Sequence, residues 1–390
     1  MAQQGLAPYL EISPPRRALR EDPLNPSGKV SAPRLIVTIL FIAMNLSLTT
    51  AAGIEKYLAS TRYATTLVEA VSGGYTAFVY RVVLKEPLET GEQTVIVKHS
   101  LGYASSGLED IIETGLVPLS AERMDFEHEA LELVYSNPGL SAIVRVPRVH
   151  AYDPITHTLV MSDVAPCRLL SDVLLEADDE LTGRIGGALG EFLGRFHAWT
   201  SLPEQDGVRR RFLDNEASKS TTLGIRWELA IATAKRYGLE REWIVDMKQA
   251  GLEDAKSGGP VVCMGDFWFG NILVSTVGEI KIYIIDWETA RTARSELDVA
   301  QFVANAHNLV VDHKPNPLAR EFLRAYREHM HLDETQMAIN AGRDMLSFAV
   351  LDHTNESIRE LVGRLGIELL EAARGNDQQA LKKNPVLADL

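Results

Sequence analysis

The segment from Val261 to Glu288 constrains this chain more than any other. It reads Val261-Val-Cys-Met-Gly-Asp-Phe-Trp-Phe-Gly-Asn-Ile-Leu-Val-Ser275 and resumes as Ile280-Lys-Ile-Tyr-Ile-Ile-Asp-Trp-Glu288. Two apolar runs of strand length flank Gly278-Glu279, which can supply a two-residue hairpin turn with Gly first. A turn centred between 278 and 279 pairs Ile272 with Ile285 and Asn271 with Asp286. Directly opposed residues hold their Cβ atoms about 5 Å apart. An amide oxygen and a carboxylate thus meet at the open end of a hairpin. That is a start on a Mg²⁺ site, which takes one or two protein oxygens beside phosphates and water. Asp266 lies five residues before Asn271, on a loop containing Gly265 and Gly270. It looks into the same space without being a ligand itself.

Asp-x-x-x-x-Asn followed by a strand-ending Asp is an arrangement suited to phosphoryl transfer. The first Asp accepts a hydroxyl proton, and the Asn and second Asp hold the metal that bridges nucleotide phosphates. Taken singly, the three residues could be a turn cap, a strand start and a surface charge. Their spacing on one hairpin argues against that.

Around this segment the chain divides into two parts. Ile54 to Tyr63 reads as a short helix, and Leu67–Val71, Phe78–Leu84 and Thr94–Lys98 read as strands. Glu122 to Ser136 is helical by period, and Ala142–Val149 and Thr158–Met161 are short strands. From Ser171 helices dominate, including Gly187–Trp199 and Thr221–Tyr237, interrupted by the hairpin. The order predicts an α+β chain. A small antiparallel sheet lobe with one main helix is followed by a larger helical lobe carrying the hairpin. The expected boundaries are an extension over 1–53, a nucleotide-binding lobe over 54–162 and a catalytic lobe over 163–390.

Met264-Gly-Asp-Phe-Trp-Phe-Gly-Asn-Ile-Leu-Val274 and Ile284-Ile-Asp-Trp-Glu288 resemble the aminoglycoside phosphotransferase and choline kinase superfamily. The Asp-x-Trp-x-Gly-Asn form is most similar to the branch holding methylthioribose kinase and 4-hydroxytryptamine kinase. The resemblance covers roughly 54–370 and is strongest over 261–302. It implies a two-lobed, protein-kinase-like fold and an ATP- and Mg²⁺-dependent small-molecule kinase. It implies Asp266 as catalytic base and Asn271 and Asp286 as metal ligands. Asp298, in Leu297-Asp-Val-Ala-Gln-Phe302, resembles the Asp that supports the catalytic loop. Met264 stands where most members have His, and Ala77 where many have Asn. These departures motivate a second expectation, a nucleotide-binding relative that acts as scaffold or regulator.

The nucleotide side is less explicit. Ser72-Gly73-Gly74 lies between two strands, where glycines let backbone N–H groups approach phosphate oxygens. No Walker-type loop and no Gly-x-Gly-x-x-Gly is present. Lys98 ends an apolar strand and could reach the α and β phosphates. Its steadying Glu on the next helix is Glu127 or Glu129, and periodicity does not choose between them. The resemblance favours Glu127. It also implies a hinge at Leu159-Val-Met-Ser-Asp163, with backbone near Met161 and Asp163 binding adenine. His197 reads as a satisfied structural histidine.

Trp268 and Glu288 flank the expected centre. The resemblance places such positions at the acceptor pocket or a second metal, while loop packing and a surface charge explain them equally well. The net charge of −14 lacks the basic footprint of a nucleic-acid binder and would suit an amine-bearing acceptor. Two cysteines exclude a disulfide scaffold and a four-cysteine zinc site.

One stretch stands apart. Leu35 to Ile54 is twenty residues without a charge, preceded by Arg16, Arg17, Arg20, Lys29 and Arg34 in a Pro-rich arm. Its length is what a membrane helix needs, and the charge rule would export everything after it. Kinase chemistry needs ATP, most abundant in the cytosol. The motif therefore carries the expectation of a cytoplasmic enzyme, with membrane contact only through 35–54. The stretch is expected to be an appendage outside the catalytic unit, by default an extra packed element, otherwise an anchor or a segment absent from the mature chain. The acceptor, the regiochemistry and the oligomeric state are not readable.

Overall fold

The computed structural model describes residues 47–71, 76–103, 118–312, 315–352, 355–388 and 390. Residues 35–46 and the Ser72-Gly73-Gly74 segment lie outside them. Among the described residues no helix is long and apolar enough to cross a membrane.

The small lobe begins earlier than expected. Thr50 caps α1 (Ala51–Leu58), its side chain accepting from Gly53 N at 3.1 Å. Leu48, Ile54 and Leu58 are fully buried, together with Tyr80, Val82, Val95 and Val97. The second part of the uncharged stretch is therefore core, and the expected boundary at 54 falls inside a helix. A five-stranded antiparallel sheet follows in the order β1 (Thr65–Ala70), β2 (Phe78–Leu84), β3 (Thr94–His99), β6 (Thr158–Ser162), β5 (Val149–Asp153). Alternation along β3 turns Val95 and Val97 toward the α1 core and Lys98 toward the opposite face. There it meets α2 (Arg123–Tyr135).

The strand expected over 142–149 is two strands. Pro147, which has no N–H to give a ladder, separates β4 (Val144–Arg145) from β5. β4 leaves the small lobe and pairs in parallel with the hairpin of the large one. That second sheet runs β4, β10 (Lys281–Ile284), β9 (Ile272–Ser275), β7 (Arg168–Leu169).

The hairpin register differs from the expected one by a residue. Ile272 pairs with Ile284 and Lys281 with Ser275, so the loop spans five residues, 276–280. Gly278 takes a left-handed φ of 75° inside this longer loop rather than opening a two-residue turn. Asn271 consequently faces Ile285, whose N–H donates to its carbonyl at 3.0 Å. Asp286 lies one step beyond, with φ 65°.

The large lobe is built on α3 (Asp179–Ser201), which starts eight residues before the expected Gly187. Asp178 caps it by accepting from Leu181 N at 2.8 Å, and Asp179 and Glu180 complement its dipole. Gly186, Gly190 and Gly194 form a bare stripe. A Cβ on Gly190 would lie 2.1 Å from the carbonyl of Phe322, so the backbone of α7 (Leu318–Arg327) packs directly on this face. The remaining scaffold is α4 (Leu223–Arg236), entered through a π-type turn over Ala217–Thr222, then α5 (Trp243–Ser257), α6 (Glu296–Asp312), α8 (Glu334–Asp352) and α9 (Glu356–Arg374). The molecule is a two-lobed α+β fold, with one hydrophobic core reaching from α2 through the hairpin to α9.

Candidate active site

The strand β8 (Val261–Cys263) is fully buried and delivers the chain into the loop that carries Asp266. Gly265 turns the chain with φ 83°, and a Cβ there would stand 2.4 Å from Thr289 O. No other residue fits that position. Asp298, at the start of α6, accepts from Met264 N at 2.7 Å and Gly265 N at 2.8 Å. His197 meets the same carboxylate at 3.2 Å and Tyr326 Oη at 2.9 Å, so it is a buried, satisfied histidine. The backbone of Met264, not its side chain, makes the contact with Asp298.

Asp266 is held by four donors. Oδ1 accepts from Arg226 Nη2 at 2.5 Å and Gln301 Nε2 at 2.8 Å. Oδ2 accepts from Asn271 Nδ2 at 2.9 Å and Trp268 Nε1 at 3.1 Å. The side chain remains 24% exposed. Asn271 spends its amide hydrogens on Asp266, its second bond going to the main-chain carbonyl at 3.0 Å, and keeps Oδ1 as an acceptor. Trp268 stacks on Phe348 with ring centroids 6.1 Å apart. It is therefore both loop packing and a wall beside the carboxylate.

Lys98 sits among three carboxylates. Its Nζ lies 2.6 Å from Glu127, in hydrogen-bond contact with Asp286, and 3.5 Å from Glu288. The structure thus selects Glu127 over Glu129. Burial opposes the charge on Lys98, but Asp286, Glu127 and Glu288 together outweigh it and raise its pKa well above the ordinary lysine range. Burial raises Glu127 to about 7 against the pull of Lys98, with Asp286 and Glu288 adding to the rise. Glu288 is 3% exposed, which excludes the surface-charge reading. Burial alone would raise its pKa, but Lys98 and Arg123 override that and lower it.

Three carboxylates against Lys98 and Arg123 leave an excess of one negative charge. Glu127, Asp286 and Glu288 bring oxygens within 4.8 Å of one another, and Glu127 Oε1 is buried with no hydrogen-bond partner. The donor set is all oxygen, which suits a hard divalent cation.

At the hinge, Met161 has ladder partners on both sides, Ile96 and Val149. Asp163 lies just past the last pair, its carboxylate gripped by Arg81 at 2.7 and 3.2 Å. Free backbone begins at Asp163 rather than at Met161.

Sequence reasoning missed Arg123, Arg226 and Gln301 as supports. Arg123 is 1% exposed, and donates to Glu288 at 3.2 Å and to the carbonyls of Leu101, Leu119, Ser120 and Thr76. It ties the start of α2 to Glu288, just past the hairpin. Arg226 did carry a signal. Leu223 and Ala230 lie at i−3 and i+4 from it, so a charge sits on the apolar stripe of α4.

A loop-borne carboxylate, a hairpin with amide and carboxylate oxygens, and a lysine clamped to a helix glutamate define a phosphotransferase. The family described as "Phosphotransferase enzyme family" matches residues 68–338, and the chain belongs to it. It is 26% identical to the 4-hydroxytryptamine kinase of Psilocybe cyanescens over 276 residues, covering 67% of this chain and 74% of the relative. It is also 26% identical to the 4-hydroxytryptamine kinase of Psilocybe cubensis, over 68% of this chain and 75% of that one. Among solved structures it is similar to an ethanolamine kinase of Plasmodium vivax, with 12% identity, 90% of each chain and a TM-score of 0.47. Phosphoryl transfer to a small molecule is the chemistry of the chain.

Proposed function

We propose that the chain is an ATP- and Mg²⁺-dependent kinase that phosphorylates a hydroxyl of a small, amine-bearing, aromatic molecule. The observation that carries this reading is Asp266. Its carboxylate is fixed by Arg226, Gln301, Asn271 and Trp268 yet is still reachable. In-line transfer asks the protein mainly for positioning and charge stabilisation. Asp266 takes the proton of the attacking hydroxyl as its oxygen bonds to the γ-phosphorus. The bond to the β-phosphate oxygen breaks, and ADP leaves. Lys98 holds the α and β phosphates, with Glu127 fixing its position. Asn271 Oδ1 and Asp286 would hold Mg²⁺, which when bound neutralises phosphate charge. Asp163 and the backbone after it would receive the adenine, and Ser72, Gly73 and Gly74 the phosphates.

Support for the acceptor class comes from the stacked Trp268–Phe348 pair beside Asp266, from the net charge of −14, and from the hydroxylated aromatic amine for which the two relatives are named. The expected compartment is the cytosol, where ATP is abundant. The test is a panel of hydroxylated aromatic amines, amino sugars and amino alcohols incubated with ATP and Mg²⁺. A mass gain of one phosphoryl group on an aromatic amine supports the reading. Magnesium-dependent ATP binding with no phosphorylated product across the panel would sink it.

A further inference from the structure

Behind the catalytic loop, on the far side of β8, lies a second feature that phosphoryl transfer does not use. The strand β11 (Arg291–Ala293) pairs antiparallel with β8, Arg291 opposite Cys263. Together with α4, α5 and α8 it lines a partly open pocket of about 70 Å³. One water needs roughly 10–15 Å³ on this measure, so the space is several waters large.

Its lining is rich in donors without acceptors. Arg291 is 4% exposed and makes no hydrogen bond or ion pair among the described residues. Trp227 Nε1 and Thr292 Oγ1 are buried and also have no partner there. Two glycines keep the space before them clear. A Cβ on Gly251 would lie 3.2 Å from Trp227 Nε1, and one on Gly258 would lie 2.6 Å from Thr292 Oγ1. Arg343, on the same wall, is 3% exposed and is neutralised by Asp344 through two bonds of 2.8 Å, with Asn340 taking a third at 2.9 Å. At the rim Arg294 and Asp254 stand 3.8 Å apart and offset each other. The cation without a directly paired carboxylate is therefore Arg291. Burial, with Arg343 and Arg226 adding and Cys263 and Asp298 opposing, lowers its pKa to about 10.

A buried guanidinium with no hydrogen-bonded counter-charge is costly, and Asp298, which acts on Arg291 without a direct bond, is already engaged by Met264 N, Gly265 N and His197. Water can satisfy its hydrogens but not its charge. A tetrahedral oxyanion does both, since guanidinium pairs with it through two parallel bonds, and the indole N–H and threonine hydroxyl supply further donors. We propose that this pocket binds a small inorganic oxyanion of the phosphate class, held by Arg291, Trp227 Nε1 and Thr292 Oγ1. Cys263, the ladder partner of Arg291, is followed directly by Met264 and Gly265, whose N–H groups are held by Asp298. Occupancy thus stiffens the strand pair that feeds the catalytic loop.

The test is thermal unfolding of the full chain in potassium phosphate against potassium chloride at matched ionic strength. Phosphate raises the unfolding temperature of the wild type saturably, by a few degrees. Arg291→Met abolishes the rise, and in chloride it unfolds no earlier than wild type, because it removes an unpaired charge. A phosphate effect that arises in the nucleotide cleft survives Arg291→Met unchanged, and that result overturns the proposal. So does the absence of any phosphate effect in the wild type. Should Arg291→Met fail to fold, Thr292→Val and Trp227→Phe give the same reading, since each must weaken the phosphate dependence and an unaltered dependence in both overturns it.

Discussion

Arg226 Nη2 donates to Asp266 Oδ1 at 2.5 Å and to the carbonyl of Gly265 at 3.0 Å. One guanidinium therefore fixes both the proposed base and the turn that presents it. In Arg226→Met the proposed base loses its firmest anchor. The expected result is a kcat lower by about 10²-fold, the scale of a 1 Å misplacement, with KM for ATP little changed. Arg226→Lys should recover part of the loss. Equal damage to KM for ATP would assign Arg226 to general folding instead.

Asp266→Asn keeps the shape of the loop and removes the proton acceptor. Turnover should fall by about 10²–10⁴-fold, the usual contribution of a general base. Binding of ATP, followed by titration calorimetry, should stay within a few-fold of wild type. Full activity in this variant removes Asp266 from its role.

Arg123 joins α2 to Glu288 from a site that is 1% exposed. Arg123→Met leaves that glutamate buried with one cation fewer. Such a break costs about 3–5 kcal/mol, to be read from urea unfolding. Because Glu288 also lies 3.5 Å from Lys98, KM for ATP should rise as well. An unfolding midpoint equal to wild type contradicts the burial described.

Tyr57, on α1, donates to Asp153 at 2.8 Å. Burial, with the charge of Asp153 adding, raises its pKa to about 12, above its ordinary value of 10.0. A proton held more tightly in the folded chain stabilises it fully below pH 10, and that stability is lost as pH rises toward 12. Tyr57→Phe should flatten this alkaline loss of stability. Absorbance at alkaline pH should show one tyrosine fewer titrating late.

Leu48 is fully buried in the small-lobe core. Leu48→Ala should cost about 2–5 kcal/mol, a loss visible in thermal unfolding. A neutral result would return residues before Ile54 to the status of an appendage.

Much of the site was legible because it is local. Asp266, Asn271 and Asp286 sit on one loop and one hairpin, so spacing alone brought them near each other. Lys98 was legible as a charge ending an apolar strand. What failed depended on contacts distant in sequence or on backbone detail. The hairpin register slipped because Gly278 serves a five-residue loop, and glycine marks many turn types alike. Arg123 and Gln301 gave no local sign, since their partners lie 165 and 35 positions away. The uncharged stretch left a packed element and a membrane anchor both open, because apolar composition alone cannot separate a membrane segment from a core helix. Among its described residues, Leu48 and Ile54 are buried in the small-lobe core.

The course of β4 and β7 has a mechanical consequence. Two of the chain passages between lobes, after β4 and before β7, start side by side, where Ser162 N donates to Arg148 O at 2.9 Å. They then part to opposite edges of the sheet ordered β4, β10, β9, β7. Three strand spacings, about 14 Å, separate those edges. A third passage, 136–143, runs from α2 to β4, so the hairpin bearing Asn271 and Asp286 has chain arriving from the small lobe at both edges of its sheet. Asn271 and the segment leading to Asp286 therefore rest on a strand pair fastened on either side by the chain that joins the lobes.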